Sequence, residues 1–394
     1  MNSRPIYPQF TALFVFPKGS PRDSRLLVSA RAFRGFADGL VSVMLATYLN
    51  AIGFSPLQIG AVVTATLLGS AALSLSTGML AHRLALRSVL LGASALMFAT
   101  GLGFAVSTSF WLVIGIAMVG TLNPSSGDVS LFLPTEQAMI AGLVPDHDRP
   151  RLYAIYNVAG VLAGAFGALA AALPGPIARA MGWQTSSVQR CAFLLYGLVA
   201  IVVFFHYLSL REHRHRPQRS RHETHHALGS ARRTIYELSA LFSLDSAASG
   251  FVGTSLLVLW LHLRFALSPA ATGILFFIAG ILGAASQFLA GPLAKRIGLV
   301  RTMAYTHLPA NGLLVLAALA PHAGLAITAL LLRALFAQMD VPARQSFVMA
   351  VVEPEHRAAA ASVTNVPRSL AAAMTPLLAG WMLSKSSFGW PLVA

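Results

Sequence analysis

The sequence predicts an all-α membrane protein, and three observations support this prediction. Apolar residues make up 56% of the 394 residues and charged residues only 10%, whereas charged residues reach about 25% in a soluble domain. The mean hydropathy is +0.68. Apolar stretches separated by brief polar breaks recur along the chain, and a helix needs about 20 such residues to cross the hydrocarbon of a bilayer.

Eleven apolar stretches are predicted to be membrane spans. In chain order they cover residues 35–53, 58–81, 88–106, 110–144, 152–175, 191–210, 238–263, 270–293, 302–320, 323–352 and 358–383. Residues 1–30 carry only a short apolar run and no small-residue cleavage site, so we expect a cytoplasmic tail there. Residues 390–394 read as the entrance to another apolar segment. We therefore expect an incomplete twelfth helix, with at least about 20 further apolar residues in a full-length version.

The basic residues are distributed unevenly between the loops on the two sides of the membrane. The side that holds the N-terminus carries 21 of the 28 Lys and Arg residues, and the other side carries four. Cytoplasmic loops are enriched in these residues, so we expect a cytoplasmic N-terminus, in a bacterial-type inner membrane. The longest basic loop, 211–236, separates an N-terminal half, 31–210, from a C-terminal half, 237–394. Its histidines could bind zinc or nickel, but their spacing matches no closed site, and no metal is expected.

The two halves repeat each other. Residues 54–56, FSP, return at 267–269 as LSP, and residues 78–83, GMLAHR, return at 291–296 as GPLAKR. Farther along, residues 134–137, PTEQ, match 342–345, PARQ, at a slightly shorter offset. Equivalent helices are an even number of spans apart and so share their orientation. This indicates a parallel duplication with a pseudo-two-fold axis along the membrane normal.

The duplicated loop after the second helix of each half resembles the Gly-x-x-x-Asp-Arg-x-Gly-Arg-like motif of the major facilitator superfamily. Together with two six-helix halves and a long basic central loop, the resemblance covers essentially the whole chain after residue 30. His82 and Lys295 stand where the family has Asp, and Ala85 stands at the second Gly of the first copy. The positions that match the motif are Gly78, Arg83, Arg87, Gly291, Arg296, Gly298 and Arg301.

The resemblance implies the fold of this superfamily, two parallel-repeat six-helix bundles, and secondary active transport of a small solute. It also implies that the first, fourth, seventh and tenth helices line a central cavity. In the fifth span, Gly160, Gly164 and Gly167 resemble part of the glycine-rich motif of drug/proton antiporters, which slightly favours efflux over uptake. The same glycines could instead allow close packing of two helices.

Ionisable residues inside spans are costly and are therefore candidates for function. We expect a substrate or proton site among Asp38, Asp128, Arg333, Asp340 and Arg368. Asp38 lies one helical turn from Arg34, so it could carry a coupling proton or form a local ion pair. His262 and His307 could titrate during transport or form hydrogen bonds that serve packing. Asp245 is placed near the inner end of the seventh span, where it could simply be solvated.

The fourth span is too long for one straight helix, because its 35 residues would extend about 52 Å against a hydrocarbon core of about 30 Å. We expect an interruption at residues 123–128, NPSSGD, that exposes backbone groups and Asp128 to the cavity. The alternative is a proline kink that serves packing only.

Glu136 and Arg344 occupy the same repeat position, 208 residues apart, on the fourth and tenth spans. Equivalent positions lie at the same depth on opposite walls of the cavity, so we predict a cytoplasmic gate between them. The alternative is that each residue pairs within its own half, Glu136 with Arg149 or Arg151 and Arg344 with Glu353 or Glu355.

The sequence contains no His-Glu-x-x-His or Gly-x-Ser-x-Gly motif, so an enzyme is not expected and no cofactor is implied. The expected partners are a small-molecule substrate, protons if transport is coupled to them, and the lipid bilayer. No nucleic-acid partner is expected, and the chain is expected to be a monomer. The other class of function is a membrane receptor or scaffold that retains the fold without transport.

Overall fold

The computed structural model describes residues 16, 20–80, 85–124, 131–145, 148–211, 232–339, 344, 347 and 357–394. Within these residues the chain forms fifteen helices and no strand, which confirms the predicted all-α class. Numbered α1 to α15 in chain order, the helices are Arg22–Ala51, Pro56–Leu80, Leu86–Val106, Phe110–Val119, Phe132–Leu143, Arg149–Ala170, Pro174–Met181, Thr185–Leu208, Arg232–Phe251, Thr254–Phe265, Pro269–Ile297, Leu299–Leu319, Ala323–Ala337, Arg357–Lys385 and Trp390–Val393.

The helices correspond to the predicted spans. Spans 1 to 3 are α1 to α3, span 4 is α4 with α5, span 5 is α6 with α7, span 6 is α8, span 7 is α9 with α10, and spans 8 to 11 are α11 to α14. The first helix begins at Arg22, inside the segment expected to be a tail. We call the end of the bundle where α1 begins the near end, and the opposite end the far end.

Six segments of the described chain are long and apolar enough to cross a membrane, judged by length and composition. They are Pro56–Thr77, Leu86–Val106, Arg151–Met181, Thr185–Leu208, Ile235–Phe265 and Pro269–Gln287. Two shorter apolar helices, α4 and α13, belong to spans 4 and 10.

The repeated Ser-Pro pairs are helix starts. The Ser55 hydroxyl accepts a hydrogen bond from the Gln58 backbone N–H at 3.3 Å, and the Gln58 side chain accepts one from the Ser55 N–H at 2.9 Å. This reciprocal arrangement is a capping box at the start of α2. Ser268 likewise accepts a hydrogen bond from the Ala271 N–H at the start of α11. The repeat found in the sequence therefore marks the far-end start of spans 2 and 8.

Span 4 is interrupted, as the sequence predicts. Helix α4 ends at Val119 and α5 begins at Phe132, and the Gly120 backbone between them is extended. The chain leaves the helix a few residues before the predicted point at Asn123. Span 7 is also broken, between α9 and α10 at Val252 and Gly253.

Helices α1 and α6 pack with their backbones in close contact. A Cβ atom added at Gly35 would overlap the Gly160 carbonyl group, and one added at Gly39 would overlap the Gly164 carbonyl group. Gly167 faces the backbone of Phe36 and Leu40 in the same way. The glycines of the fifth span thus lie where small residues are required for close packing of helices.

The two halves meet at the far end through two crossings that the repeat relates. Gly60 of α2 lies against the backbone of Gly380 of α14, and Gly273 of α11 lies against the Ala168 backbone of α6. Gly60 and Gly273 are equivalent positions in the repeat. Both crossings lie within the first two turns of α2 and α11, at the far end of these helices.

Candidate functional site

The first charged cluster, here called the N-half cluster, consists of Arg34, Glu136, Tyr156 and Tyr207. The Arg34 guanidinium forms an ion pair with Glu136 Oε2, and the Tyr156 hydroxyl donates to the same oxygen. The Tyr207 hydroxyl donates to the other oxygen, Oε1, at 2.7 Å. The cluster therefore joins spans 1, 4, 5 and 6 around one carboxylate.

The N-half cluster is fully buried in the conformation described. The side chains of Arg34 and Glu136 are 2% and 0% exposed. The Arg34 guanidinium also lies over the Phe132 ring, 4.2 Å from its centroid, which adds a cation–π contact. A buried charge is tolerated only when it is paired and hydrogen-bonded, and here both oxygens of Glu136 are satisfied.

Arg87, one of the residues that match the family loop motif, binds the end of the helix that carries Tyr207 of this cluster. Its guanidinium donates hydrogen bonds to the backbone carbonyls of Tyr207, at 3.2 Å, and of Leu208. A cation at the C-terminal end of a helix compensates the unsatisfied carbonyls and the helix dipole. Arg87 therefore holds the end of α8 that carries the Tyr207 hydroxyl to Glu136.

The second charged cluster, here called the C-half cluster, consists of Asp245, His307, Arg344 and Arg368. His307 Nε2 lies 2.7 Å from Asp245 Oδ1, and an Arg344 Nη donates to Asp245 Oδ2 at 3.3 Å. The Arg368 Nε donates to the hydroxyl of Ser246, the next residue, at 2.7 Å. These residues bring spans 7, 9, 10 and 11 together.

The side chains of the C-half cluster are partly exposed, whereas the Arg34–Glu136 pair of the N-half cluster is buried. The side chains of Asp245 and His307 are 27% and 36% exposed, and that of Arg344 is 11% exposed. Charged side chains facing hydrocarbon are costly, so we expect the exposed parts of these side chains to face water.

Each cluster joins the first and fourth spans of its half, with the charges exchanged between the halves. In the N-terminal half the first span supplies the cation, Arg34, and the fourth supplies the anion, Glu136. In the C-terminal half the first span supplies the anion, Asp245, and the fourth supplies the cation, Arg344. In the conformation described, Glu136 and Arg344 therefore each bind a partner in their own half, and the partner of Glu136 is Arg34 rather than Arg149 or Arg151.

A third feature joins the two halves at the interruption of span 4. The Ser255 hydroxyl lies 2.6 Å from the Ser42 carbonyl oxygen and 2.8 Å from that of Pro124, and the Ser255 N–H donates to Pro124 at 3.2 Å. Ser42 and Ser255 are 213 residues apart, which is the offset of the repeat. The interruption thus provides a backbone acceptor for the opposite half, in α10.

The predicted site residue Asp38 is buried in α1, one turn beyond Arg34. Its charge interacts with Arg34 and Arg31, but Arg34 forms its ion pair with Glu136 instead. Within the part of the chain that the structure describes, no cation lies within ion-pair distance of Asp38. Asp38 therefore remains a buried carboxyl group with no dedicated cation.

The other predicted residues fall in different places. Arg333 lies half-buried on α13, and its Nε has no hydrogen-bond partner among the described residues. Arg368 joins the C-half cluster. Asp128 and Asp340 lie outside the described residues, as do Arg83 and the histidine-rich loop. Gly78 lies in α2 and Gly291 in α11, Gly298 turns the chain between α11 and α12 with φ of 86°, and Arg296 and Arg301 are exposed.

Sequence reasoning missed Arg34, Tyr156 and Tyr207 as site residues and underrated Asp245 and His307. Arg34 falls just outside the predicted first span because that apolar stretch begins one residue later, and it is considered only as a local partner of Asp38. The available signal was Glu136 itself, since a carboxylate inside a span needs a cation on a neighbouring helix. In the part of the chain that the structure describes, no group of three or more His, Cys, Asp or Glu side chains could hold a metal ion.

Sequence comparison supplies the family to which this helical bundle belongs. The family model described as Major Facilitator Superfamily matches residues 27–332 and 238–394. The chain belongs to this superfamily, and it is a multi-pass integral membrane protein. An uncharacterized membrane protein of Saccharomyces cerevisiae, YJR124C, is 27% identical over 415 residues, covering 96% of this chain and 91% of that protein.

Solved structures with the same fold are transporters. A bacterial homologue of the human lysosomal transporter Spinster, in an inward-facing and unoccupied conformation, has a TM-score of 0.70 at 17% identity, covering 92% of this chain and 82% of that chain. The nucleoside transporter NupG has a TM-score of 0.72 at 14% identity, covering 95% of each chain. A D-xylose-proton symporter has a TM-score of 0.66 at 15% identity, covering 94% of this chain and 89% of that chain. At these identities the likeness shows the fold.

Proposed function

We propose that this secondary transporter moves its small solute by alternating access, with the described conformation closed at the far end. The observation that carries the proposal is the contact of Ser255 with Ser42 and Pro124. Ser42 and Pro124 belong to the half opposite Ser255, and Ser42 and Ser255 lie at equivalent positions of spans 1 and 7. Rocking one half against the other would separate them, so the contact favours one state over the other.

The charged clusters support the same conformation. Glu136 and Arg344 lie toward the near end of spans 4 and 10, and each binds a partner in its own half. This is the arrangement expected when the near end is open. The likeness to a Spinster homologue described as inward-facing agrees with it. With the N-terminus on the cytoplasmic side, as the loop charges favour, the near end faces the cytoplasm of a bacterial-type inner membrane.

We place the substrate or proton site among Asp38, Arg333 and Arg368, with Asp128 and Asp340 as further members. Asp38 is the strongest of these because it is buried and, among the described residues, forms no ion pair, although the charges of Arg34 and Arg31 act on it. A cationic solute or a proton would satisfy it at the depth of the membrane where an unpaired carboxylate is costly. Asp38→Asn is therefore expected to abolish transport or uncouple it from protons, while expression and folding persist.

The gate between Glu136 and Arg344 remains a proposal about the opposite conformation, in which the near end is closed. Glu136→Arg and Arg344→Glu should each impair transport, and the double swap should restore part of it. Because Glu136→Arg also opposes Arg34, an Arg34→Glu/Glu136→Arg variant separates loss of the N-half cluster from loss of the gate. A double swap across the halves that transports no better than the worse single variant would remove the gate.

The direct test of alternating access is a cross-link between the halves. In a Cys191→Ser background, Ser42→Cys and Ser255→Cys would be joined by a short bifunctional thiol reagent in liposomes. The transported probe would be a compound first identified by thermal shift, since a bound solute stabilises the folded state. Cross-linking should stop its flux, and cleavage of a reducible linker should restore the flux.

The matched control links two positions within one half. The Ser239 hydroxyl donates to the Val363 carbonyl at 2.8 Å, between α9 and α14 of the C-terminal half. A Ser239→Cys/Val363→Cys cross-link should leave flux intact. Equal flux with and without the Ser42–Ser255 link would contradict alternating access at this contact.

Efflux is the direction we propose, and uptake is the outcome that would overturn it in the same liposomes. A receptor or scaffold that retains the fold is the second candidate, and it would bind the probe without moving it across a sealed bilayer.

A further inference from the structure

We infer that the His307–Asp245 pair of the C-half cluster is a proton-binding site that rests in contact with Arg344. The inference deepens the proposed transport function, on which its role in coupling depends. Histidine is the side chain whose unperturbed titration falls closest to neutral pH. Among the described histidines, His307 is the one in hydrogen-bond contact with a carboxylate, at 2.7 Å.

The His307–Asp245 pair lies inside the helical bundle and is still partly exposed. Asp245 lies 13 residues into the 20-residue helix α9, about 20 Å along the helix axis. His307 lies within α12, more than two turns from either end. Both groups are therefore at membrane depth and still more than one quarter exposed, so a proton can reach them from water.

The charges that face the pair determine how it responds. Arg344 of span 10 donates to Asp245 Oδ2, and Arg368 of span 11 lies close enough for its charge to act on Asp245. Helix α9 contributes the Ser246 hydroxyl, which accepts a hydrogen bond from Arg368. Asp245 thus lies beside one titratable group, His307, and two permanently charged groups, Arg344 and Arg368.

Protonation of His307 would strengthen its bond to Asp245 and place a new positive charge beside Arg344. The Asp245 carboxylate then attracts Arg344 less strongly, and Arg344 and protonated His307 repel each other. Proton binding at His307 therefore favours release of Arg344, the span 10 residue that the proposed gate requires. Loss of the proton returns Arg344 to Asp245. Only a difference in proton affinity between the two conformations couples the two events.

The experiment observes protons directly and needs no solute. Histidine side chains labelled with ¹⁵N are followed by NMR between pH 5 and pH 9, using the full chain in detergent micelles. The signal that disappears in His307→Gln should titrate as one proton. In Asp245→Asn its midpoint should fall, and in Arg344→Gln it should rise, each by about one to three pH units because one opposite or like charge is removed.

His262→Gln is the matched control, since His262 Nδ1 faces the Leu267 carbonyl at 3.0 Å rather than a carboxylate. It should leave the His307 titration unchanged. The inference would be overturned if the His307 signal did not titrate in this range. It would also be overturned if neither Asp245→Asn nor Arg344→Gln shifted its titration midpoint. If Asp245→Asn does not fold, the Arg344→Gln shift alone decides.

The two proposals fail separately. Titration of His307 in a protein that moves no compound across liposomes would contradict the transport function and leave the proton site standing. Gradient-driven transport of the thermal-shift probe that persists at full rate in His307→Gln would contradict the coupling role and leave alternating access standing. In the expected result, His307→Gln loses gradient-driven accumulation at least tenfold while exchange of the probe continues.

Discussion

The N-half and C-half clusters are two versions of one bridge. Each joins the first and fourth spans of its half through an Arg and a carboxylate, with the charges exchanged between halves. The N-half version is closed, because two tyrosine hydroxyls complete the coordination of Glu136. The C-half version is open, and its second partner is a histidine instead of a tyrosine. The comparison indicates that an ion pair between the first and fourth spans stabilises the half when it is buried, and can exchange protons when it is partly exposed.

The largest expected effect comes from removing the buried carboxylate. Glu136→Gln leaves the Arg34 guanidinium buried without its anion, and breaking such a pair costs about 3–5 kcal/mol. The free energy of unfolding, measured by denaturant titration in mixed micelles, should fall by this amount.

Asp245→Asn is the matched change in the open cluster. It should cost less than half as much, because water can screen Arg344 and the histidine is neutral at high pH. Equal losses in the two variants would break the distinction between a sealed and an exposed bridge.

The smaller contribution of the tyrosines sharpens the comparison. Tyr207→Phe removes one donor to the Glu136 carboxylate, and a hydrogen bond to a charged group contributes about 1.5–3 kcal/mol. Tyr153→Phe is its control, since that hydroxyl donates at 2.8 Å to the neutral Gln137 carbonyl from a half-buried position. The control should lose about 0.5–1.5 kcal/mol in the same unfolding assay. A Tyr207 variant no less stable than the Tyr153 variant would show that Glu136 does not need its second donor.

Much of the fold could be predicted from the sequence because apolar length and internal repetition are local signals. The Ser-Pro pairs at 55–56 and 268–269 reveal the repeat, and the interruption of span 4 follows from its length. These signals do not locate the ends of the helices accurately. Arg34 lies inside α1, but a hydropathy boundary at residue 35 excludes it, since a buried arginine resembles a loop residue in composition.

The candidate site could be predicted only in part. Glu136 and Arg344 emerge from the repeat as opposite charges at one position, and this is visible in sequence. Their partners are not visible, because Arg34 and Asp245 come from other spans and occupy positions of the repeat that do not match. Pairing across helices depends on rotation of each helix about its axis. Close glycine contacts such as Gly39 with Gly164 set that rotation, and periodicity alone does not specify it.

The smallest expected effect is a difference in salt sensitivity between the two clusters. Ionic strength screens charges that water reaches and screens buried pairs much less, with a screening length of about 10 Å at 0.1 M and 3 Å at 1 M. The contribution of a partly exposed pair is about 0–1 kcal/mol. The stability difference between wild type and Asp245→Asn should therefore shrink toward zero as NaCl rises from 0.05 to 1 M.

Over the same salt range, the difference between wild type and Glu136→Gln should stay constant, because no ion reaches a side chain that is 0% exposed. Parallel unfolding series in a His307→Gln background leave Asp245 without a titratable partner at that position, so the series report the Asp245–Arg344 pair. If salt weakened both differences alike, the N-half cluster would be open to water in solution. The closed bridge would then be a second site for exchange of ions or protons rather than a rigid element.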